Sequence, residues 1–393
     1  RRFAASSPAA AITLSDVTQA AFRIRGSVHP TSCFESTRMS EVLGARVFFK
    51  REFEHRTGSF KERGAANVLL QLPEEQRRRG VCTASAGNHA LAVAYHGQRL
   101  GIPVSVVMPV VAPITKVQNC RKFGATVIIE GEHLLESRQV AARLEEEDDM
   151  MYINGYDDLG IIAGQGTAGV ELLNQVPNLD AVVVPIGGGG LIAGMAIAIK
   201  TLNPSIRVIG VESERCASWR AALDEGKPTP FDMRGRSTLA DGLAVSTVGA
   251  NAFRLAAHLI DEVVTVSESS IALAVLRLLE EERSVVEGGG ATGVAGFLDG
   301  KLEHLAGQRI GIMLCGGNID TPVLGRVIER GLAVDGRIHR FTAIVSDRPG
   351  GINALMAILA REGASVKDIL HERATLKDDI AMVSITVCLE TRD

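Results

Sequence analysis

The sequence has no surplus of charge of either sign. Its 42 Lys and Arg stand against 46 Asp and Glu, a formal net charge of -4, so nothing electrostatic draws it toward nucleic acid or an anionic membrane. Long apolar runs are also missing: the longest, at 191–199 behind a glycine run, falls far short of the ~20 residues a spanning helix needs. The six cysteines, Cys33, Cys82, Cys120, Cys216, Cys315 and Cys388, are scattered without a C-x-x-C pair. That argues against a zinc site and a disulfide framework and fits a reducing compartment. There is no internal repeat and no low-complexity segment. Nor is there an initial Met or any acidic residue before Asp16; the opening Arg1-Arg2-Phe3-Ala4-Ala5-Ser6-Ser7 reads either as the tail of an organelle transit peptide or as an ordinary disordered terminus. The expectation is a cytoplasmic protein, or one sent to a mitochondrion or plastid, whose partner is a small molecule.

At 393 residues and 46% hydrophobic, the chain can bury a sizeable core in two or three domains. From Arg46 to about Arg330, short β-branched runs alternate with longer segments of helical period, the pattern of an α/β parallel sheet covered by helices. The runs at 104–108, 126–129, 181–184, 207–211 and 310–314 are almost continuously apolar, as strands buried on both faces should be. Helices are expected at 88–100, 134–146, 167–175, 191–201 and 268–283. After Leu332 the character changes to strand 341–345, a turn through Asp347-Arg348-Pro349-Gly350-Gly351, helix 352–361, and strands 366–370 and 380–388. A β-α-β-β order lacks the last helix and edge strand of a ferredoxin-like unit, so this second, α+β domain reads as truncated.

Four segments carry chemistry. Gly187, Gly188, Gly189, Gly190 and Leu191 follow one strand and open a helix, so unhindered amides would face an anion. Four consecutive glycines cost conformational entropy that a plain turn does not require, which favours a phosphate cradle over a flexible turn. The run is neither a P-loop nor a G-x-G-x-x-G fingerprint. In Thr57-Gly58-Ser59-Phe60-Lys61-Glu62-Arg63, Ser59 and Glu62 have capping-box spacing, which puts Lys61 in a helical first turn. A solvated cation is disfavoured there, whereas a Schiff-base lysine is not; an ordinary surface lysine fits the segment equally. Ser85, Gly87, Asn88 and His89 mark another strand-to-helix junction, either a carboxylate-binding loop or a simple N-cap. Cys315 ends a further strand, either as a weak hydrogen-bond partner of an uncharged ring nitrogen or as a buried structural thiol.

Together these segments closely resemble the fold type II pyridoxal-phosphate enzymes, in their threonine dehydratase and serine racemase branch. The resemblance covers 30–330 and rests on S-F-K-x-R-G-A, S-A-G-N-H-A, G-Q-G-T at Gly164, G-G-G-G-L, A-D-G-L at Ala240, and C-G-G-N-I-D. It implies two open parallel-sheet subdomains in a catalytic domain over 12–330, the smaller at about 79–157 inserted in the larger. It further implies that pyridoxal 5'-phosphate is held covalently by Lys61, beside Phe60, with Asn88 on the ring hydroxyl. Gly187 to Gly190 and Leu191 would take the phosphate, and Cys315, where the family more often has Ser, would face the ring nitrogen. Ser85, Gly87 and His89 would fall in the loop receiving the substrate carboxylate. The implied reaction converts L-threonine to 2-oxobutanoate, or L-serine to pyruvate, with ammonia released; Lys61, once displaced, takes the α-proton.

Racemases of this branch carry a serine proton donor where this chain has Ala86, which favours dehydration, while threo-3-hydroxyaspartate ammonia-lyases share the same motifs. Glu212 matches the first carboxylate of the family's cation site, but Ser218 replaces the second acid; no metal-ligand set is assigned and Glu212 is expected to be a solvated strand-end charge. The tail over 338–393 resembles an incomplete ACT domain, implying an amino-acid effector and a homo-oligomer, or a dimerisation module without ligand. A non-catalytic amino-acid sensor on the same scaffold is the alternative outside enzymology, and a transferase of the cysteine-synthase kind is the alternative on fold alone.

Overall fold

The computed structural model describes residues 11–373 and 380–391; the transit-like opening at residues 1–7 lies outside them. The strands in chain order are β1 (Cys33–Glu35), β2 (Arg46–Arg51), β3 (Val81–Ala84), β4 (Val104–Met108), β5 (Thr126–Ile129), β6 (Met151–Tyr152), β7 (Ala181–Pro185), β8 (Arg207–Ser213), β9 (Glu262–Val266), β10 (Arg309–Leu314), β11 (Ile338–Ser346), β12 (Ser365–Glu372) and β13 (Met382–Glu390). They form a six-stranded sheet in the order β1-β2-β10-β7-β8-β9, a four-stranded sheet β5-β4-β3-β6, and a three-stranded sheet β11-β13-β12. Apart from the antiparallel edge strand β1, the six-stranded sheet is parallel, and so is the four-stranded one. The four-stranded sheet comes from one continuous stretch of chain inserted between β2 and β7. The three-stranded sheet is antiparallel throughout.

The molecule divides into two compact units at Asp320/Thr321. In the first, the apolar runs at β4, β7, β8 and β10 are buried nearly end to end, because helices cover both faces of each parallel sheet. β5 departs from that expectation: it pairs with β4 alone, its end residues are exposed and its central ones only partly buried, the ordinary state of an edge strand.

The helix Leu159–Gln175 begins well ahead of its expected start at 167. The Gly160, Gly164 and Gly166 that weaken its intrinsic helical signal are where its neighbours press closest. A Cβ on Gly164 would lie 2.6 Å from the Gly64 Cα, and one on Gly166 would lie 2.7 Å from the Gly194 carbonyl oxygen. The glycines thus let three helices, Lys61–Leu70, Leu159–Gln175 and Gly190–Leu202, approach backbone to backbone. Beside them lies a buried ionic cluster. The Arg63 Nε donates to Glu52 at 2.7 Å and its Nη1 to Glu171 at 2.9 Å, while Lys50 also pairs with Glu171.

The second unit packs the helix Gly351–Arg361 on one face of its sheet, around Leu359, Val383, Ile385, Val387 and Leu389. Its strand–helix–strand–strand order is the one read from the sequence, preceded by the helix Thr321–Val334.

Candidate active site

Lys61 is the first residue of its helix, but the expected capping box does not form. Phe60 occupies the N-cap without a side-chain bond, Ser59 is held in a backbone bridge to Gly316 with its hydroxyl buried and unpartnered, and Glu62 turns away to accept the Thr57 amide. Tertiary pairing with the strand-end at Gly316 has overridden the local signal. Phe60 donates its own amide to the Cys315 carbonyl at 3.1 Å. The Lys61 amine is 5.1 Å from the Phe60 ring centre and donates to the Gly155 carbonyl at 2.6 Å. Burial pushes this amine down to about 8, against the pull of Cys315 and Glu287, so about a tenth of it is neutral at pH 7, far more than for an ordinary lysine.

The glycine run sits at the C-terminal end of β7 and opens the helix Gly190–Leu202. No acceptor among the described residues takes the amide hydrogens of residues 187–191, although all but Gly187 are buried. Buried amides without partners at a helix N-terminus form an anion cradle. The run is packed too tightly for side chains: a Cβ on Gly188 would lie 2.2 Å from the Tyr156 ring, and one on Gly189, at φ +93, would lie 2.3 Å from Trp219. Leu191 is buried in the core beneath. The Lys61 amine and the cradle therefore meet the same turn, at the consecutive residues Gly155 and Tyr156.

The third segment leaves the C-terminal end of β3. The Ser85 hydroxyl accepts the Gly87 amide at 3.2 Å, and the first-turn amides of Asn88, His89 and Ala90 find no acceptor among the described residues. The His89 ring is turned inward. Its Nε2 lies 3.1 Å from the Ile153 carbonyl oxygen, and burial together with the nearby Lys61 pushes the ring down to about 3, so it is neutral and Nε2–H is the donor. The Asn88 Nδ2 donates to Glu287 at 2.7 Å, and its Oδ1 accepts from Asn318 at 2.8 Å. Cys315 is buried, and burial raises its thiol well above the ordinary range.

Sequence reasoning passed over Glu287, Gly155 and Tyr156. Glu287 is buried and pushed up to about 7, chiefly by burial and then by Asp241; the signal for it was an acid placed directly before Gly288-Gly289-Gly290 at a helix start. For the turn, the signal was Asn154 ahead of Gly155 and the acids Asp157 and Asp158, since the Asn154 Oδ1 accepts the amides of Tyr156 and Asp157. Glu212 requires a correction. It is fully buried, accepts the amides of Trp219 and Arg220 at 2.7 and 2.9 Å, and is pushed by burial to about 7. It caps the helix Ser218–Glu225 rather than meeting solvent. No group of three or more candidate metal-ligating side chains occurs among the described residues, and no helix there is long and apolar enough to cross a membrane.

A buried amine of lowered basicity answers an aldehyde, and a row of free amides answers a phosphate; the side chains present fit a group carrying both. Comparison with known proteins agrees. Residues 24–316 match the model of the pyridoxal-phosphate dependent enzyme family. The L-threonine ammonia-lyase of Thermotoga maritima is 42% identical over 382 residues, covering 97% of this chain and 94% of that protein. Among solved structures, the processed threonine deaminase isoform 2 of Solanum lycopersicum aligns with a TM-score of 0.76 at 34% identity, over 83% of this chain and 98% of its own. Maize serine racemase gives the same TM-score and identity, over 83% of this chain and all of its own. With a match over most of its length, and the amine, the amide cradle and the asparagine loop gathered at strand ends of one unit, the chain belongs to the pyridoxal-phosphate dependent enzymes.

Proposed function

We propose that this enzyme dehydrates and deaminates L-threonine, and L-serine beside it, releasing 2-oxobutanoate or pyruvate with ammonia. The carrying observation is the meeting of the Lys61 amine and the glycine cradle at Gly155 and Tyr156, in a chain that is similar over nearly its whole length to an L-threonine ammonia-lyase.

Bound there, pyridoxal phosphate supplies an electron sink for charge developing at the substrate Cα. Lys61 would hold it covalently and, as a free amine, would take the substrate α-proton; an amine near 8 is suited to that role. Phe60 would flank the ring and Asn88 would donate to the ring hydroxyl. The amides of Gly187, Gly188, Gly189, Gly190 and Leu191 would hold the phosphate. Cys315, its thiol kept protonated by burial, would offer the ring nitrogen a weak partner and no charge. Ser85, Gly87 and His89 shape the carboxylate loop, His89 through its backbone amide, because its ring is engaged with Ile153. Ala86 has no proton to deliver to the far face of the substrate, which supports elimination over racemisation.

The residues up to about 330 are the catalytic domain in this reading. The unit around β11, β12 and β13 acts as an ACT-like module for subunit contact and an amino-acid effector, and deleting the residues after Arg337 should change oligomeric state or amino-acid sensitivity.

The test is 2-oxo acid and ammonia release from L-threonine, L-serine and threo-3-hydroxyaspartate. Release from threonine or serine that falls by about a thousandfold or more in Lys61→Ala supports the reading; absence of release from all three, with cofactor bound, refutes it. Capture of pyridoxal phosphate by the apoprotein should rise about tenfold per pH unit below about 8 and level off above it, following the neutral amine. A flat profile across that window would remove the assignment of Lys61.

A further inference from the structure

Glu287 occupies the N-cap of the helix Gly288–Leu298 and makes no side-chain bond to it. An acid in that position ordinarily stabilises its own helix start. Here the carboxylate reaches instead to the Nδ2 of Asn88 at 2.7 Å, on the helix that leaves the four-stranded sheet. Space for that reach is kept by Gly316, where a Cβ would lie 2.5 Å from the Glu287 Oε1. The opposite end of the Asn88 amide is tied as well. Its Oδ1 accepts from the Asn318 Nδ2 at 2.8 Å, and that same nitrogen donates to the Thr57 carbonyl at 2.6 Å.

The chain of bonds has only one consistent polarity. The Thr57 carbonyl can only accept, so the NH2 of Asn318 must face it, and its second hydrogen then requires an oxygen on Asn88. At the far end the Glu287 carboxyl, ionised or protonated, keeps an oxygen able to accept from the nitrogen that Asn88 then presents. Flipping the Asn88 amide would set its NH2 against the NH2 of Asn318. The Thr57 end fixes the orientation and the Glu287 end accommodates it, and one of the two Nδ2 hydrogens of Asn88 is left over.

We propose that Glu287 is a positioning residue which, together with Asn318, locks the Asn88 amide so that its remaining Nδ2 hydrogen is directed to the ring oxygen of the cofactor. The inference rests on the reading of Asn88 given above. Asp241, Lys116 and the Asn318 amide also face the Glu287 carboxyl, and its charge is felt at Lys61, but Asn88 is the cofactor-facing group to which it is bonded.

The test reads cofactor binding and spectrum rather than turnover. The apoprotein is titrated with pyridoxal phosphate, following Kd and the position of the visible absorbance band, in Glu287→Ala, Glu287→Gln, Asn318→Ala, Asn88→Ala and the Asn88→Ala/Glu287→Ala double variant. Loss of the lock should weaken binding about tenfold, the size of one hydrogen bond, and shift the band in Glu287→Ala and Asn318→Ala alike. Gln should restore both, because its carbonyl oxygen accepts the same Nδ2 hydrogen, and the double variant should be no worse than Asn88→Ala alone. A Gln variant as impaired as the Ala variant would show that charge is required and overturn a positioning role, as would wild-type affinity and spectrum in Glu287→Ala. If Glu287→Ala does not fold, Glu287→Gln and Asn318→Ala decide: wild-type behaviour from the first with a shifted band from the second supports the lock, and any other pairing overturns it. Wild-type affinity and spectrum in Asn88→Ala would refute the Asn88 assignment itself, separately from the role of Glu287.

Discussion

In the first unit β7 is buried at every residue; in the second, β12 is exposed at every residue. Both are legible as strands, yet they live in different solvents. Helices on both faces of the parallel sheets leave no water for the polar groups inside, so Lys50, Glu52 and Arg63, all essentially inaccessible, are matched to one another and to Glu171. The antiparallel sheet of the second unit is packed on one face by the helix Gly351–Arg361, and none of its described ion pairs is fully buried, Lys367 with Glu329 lying at the surface. A fully buried ionic cluster thus belongs to the first unit.

Arg63→Ala tests this contrast hardest. It leaves Glu52 buried without its guanidinium partner, with only His55 and Thr31 still bonded to it, and should cost about 3–5 kcal/mol in denaturant unfolding. A loss near that of a surface substitution would mean the cluster is hydrated. Ile385→Ala should cost about 2–4 kcal/mol by cavity formation, seen as a fall in the melting temperature of a unit whose buried core is small. Next comes a matched pair of left-handed glycines. Gly189→Ala, with the Trp219 ring 2.3 Å from the new Cβ, should cost about 2–3 kcal/mol and weaken phosphate binding, whereas Gly363→Ala, at φ +74 with nothing within 4 Å, should cost about 1 kcal/mol. Equal losses would mean that backbone strain and not packing limits the cradle. Smallest of all, Lys367→Ala should leave the melting temperature unmoved.

Much of this could be read in advance, and the exceptions have physical causes. The strand-to-helix junctions at Gly187 and Asn88 were visible because glycine runs and apolar periodicity are local properties, and the helix Asn88–Leu100 matches its expected bounds. The start of Leu159–Gln175 was hidden because glycine lowers helix propensity wherever it occurs, while its packing advantage depends on a partner distant in sequence. The capping box at Ser59 failed for a related reason: the spacing was present, but the bridge to Gly316 claimed the backbone first. Glu212 was misjudged because a carboxylate beside an apolar strand reads as solvated unless the amides of Trp219 and Arg220 are known to point at it.

The sequence by itself determined the alternation of strand and helix, the placing of glycines where backbone must approach an anion, and the start of a helix at Lys61, since each follows from neighbours in the chain. Only the tertiary structure decided that Lys61 is buried to an amine near 8, that Gly155 and Tyr156 join it to the cradle, and that Glu287 and Asn318 grip Asn88 from opposite ends. Burial and hydrogen-bond polarity are set by groups remote in sequence, and neither exists until those groups are brought together.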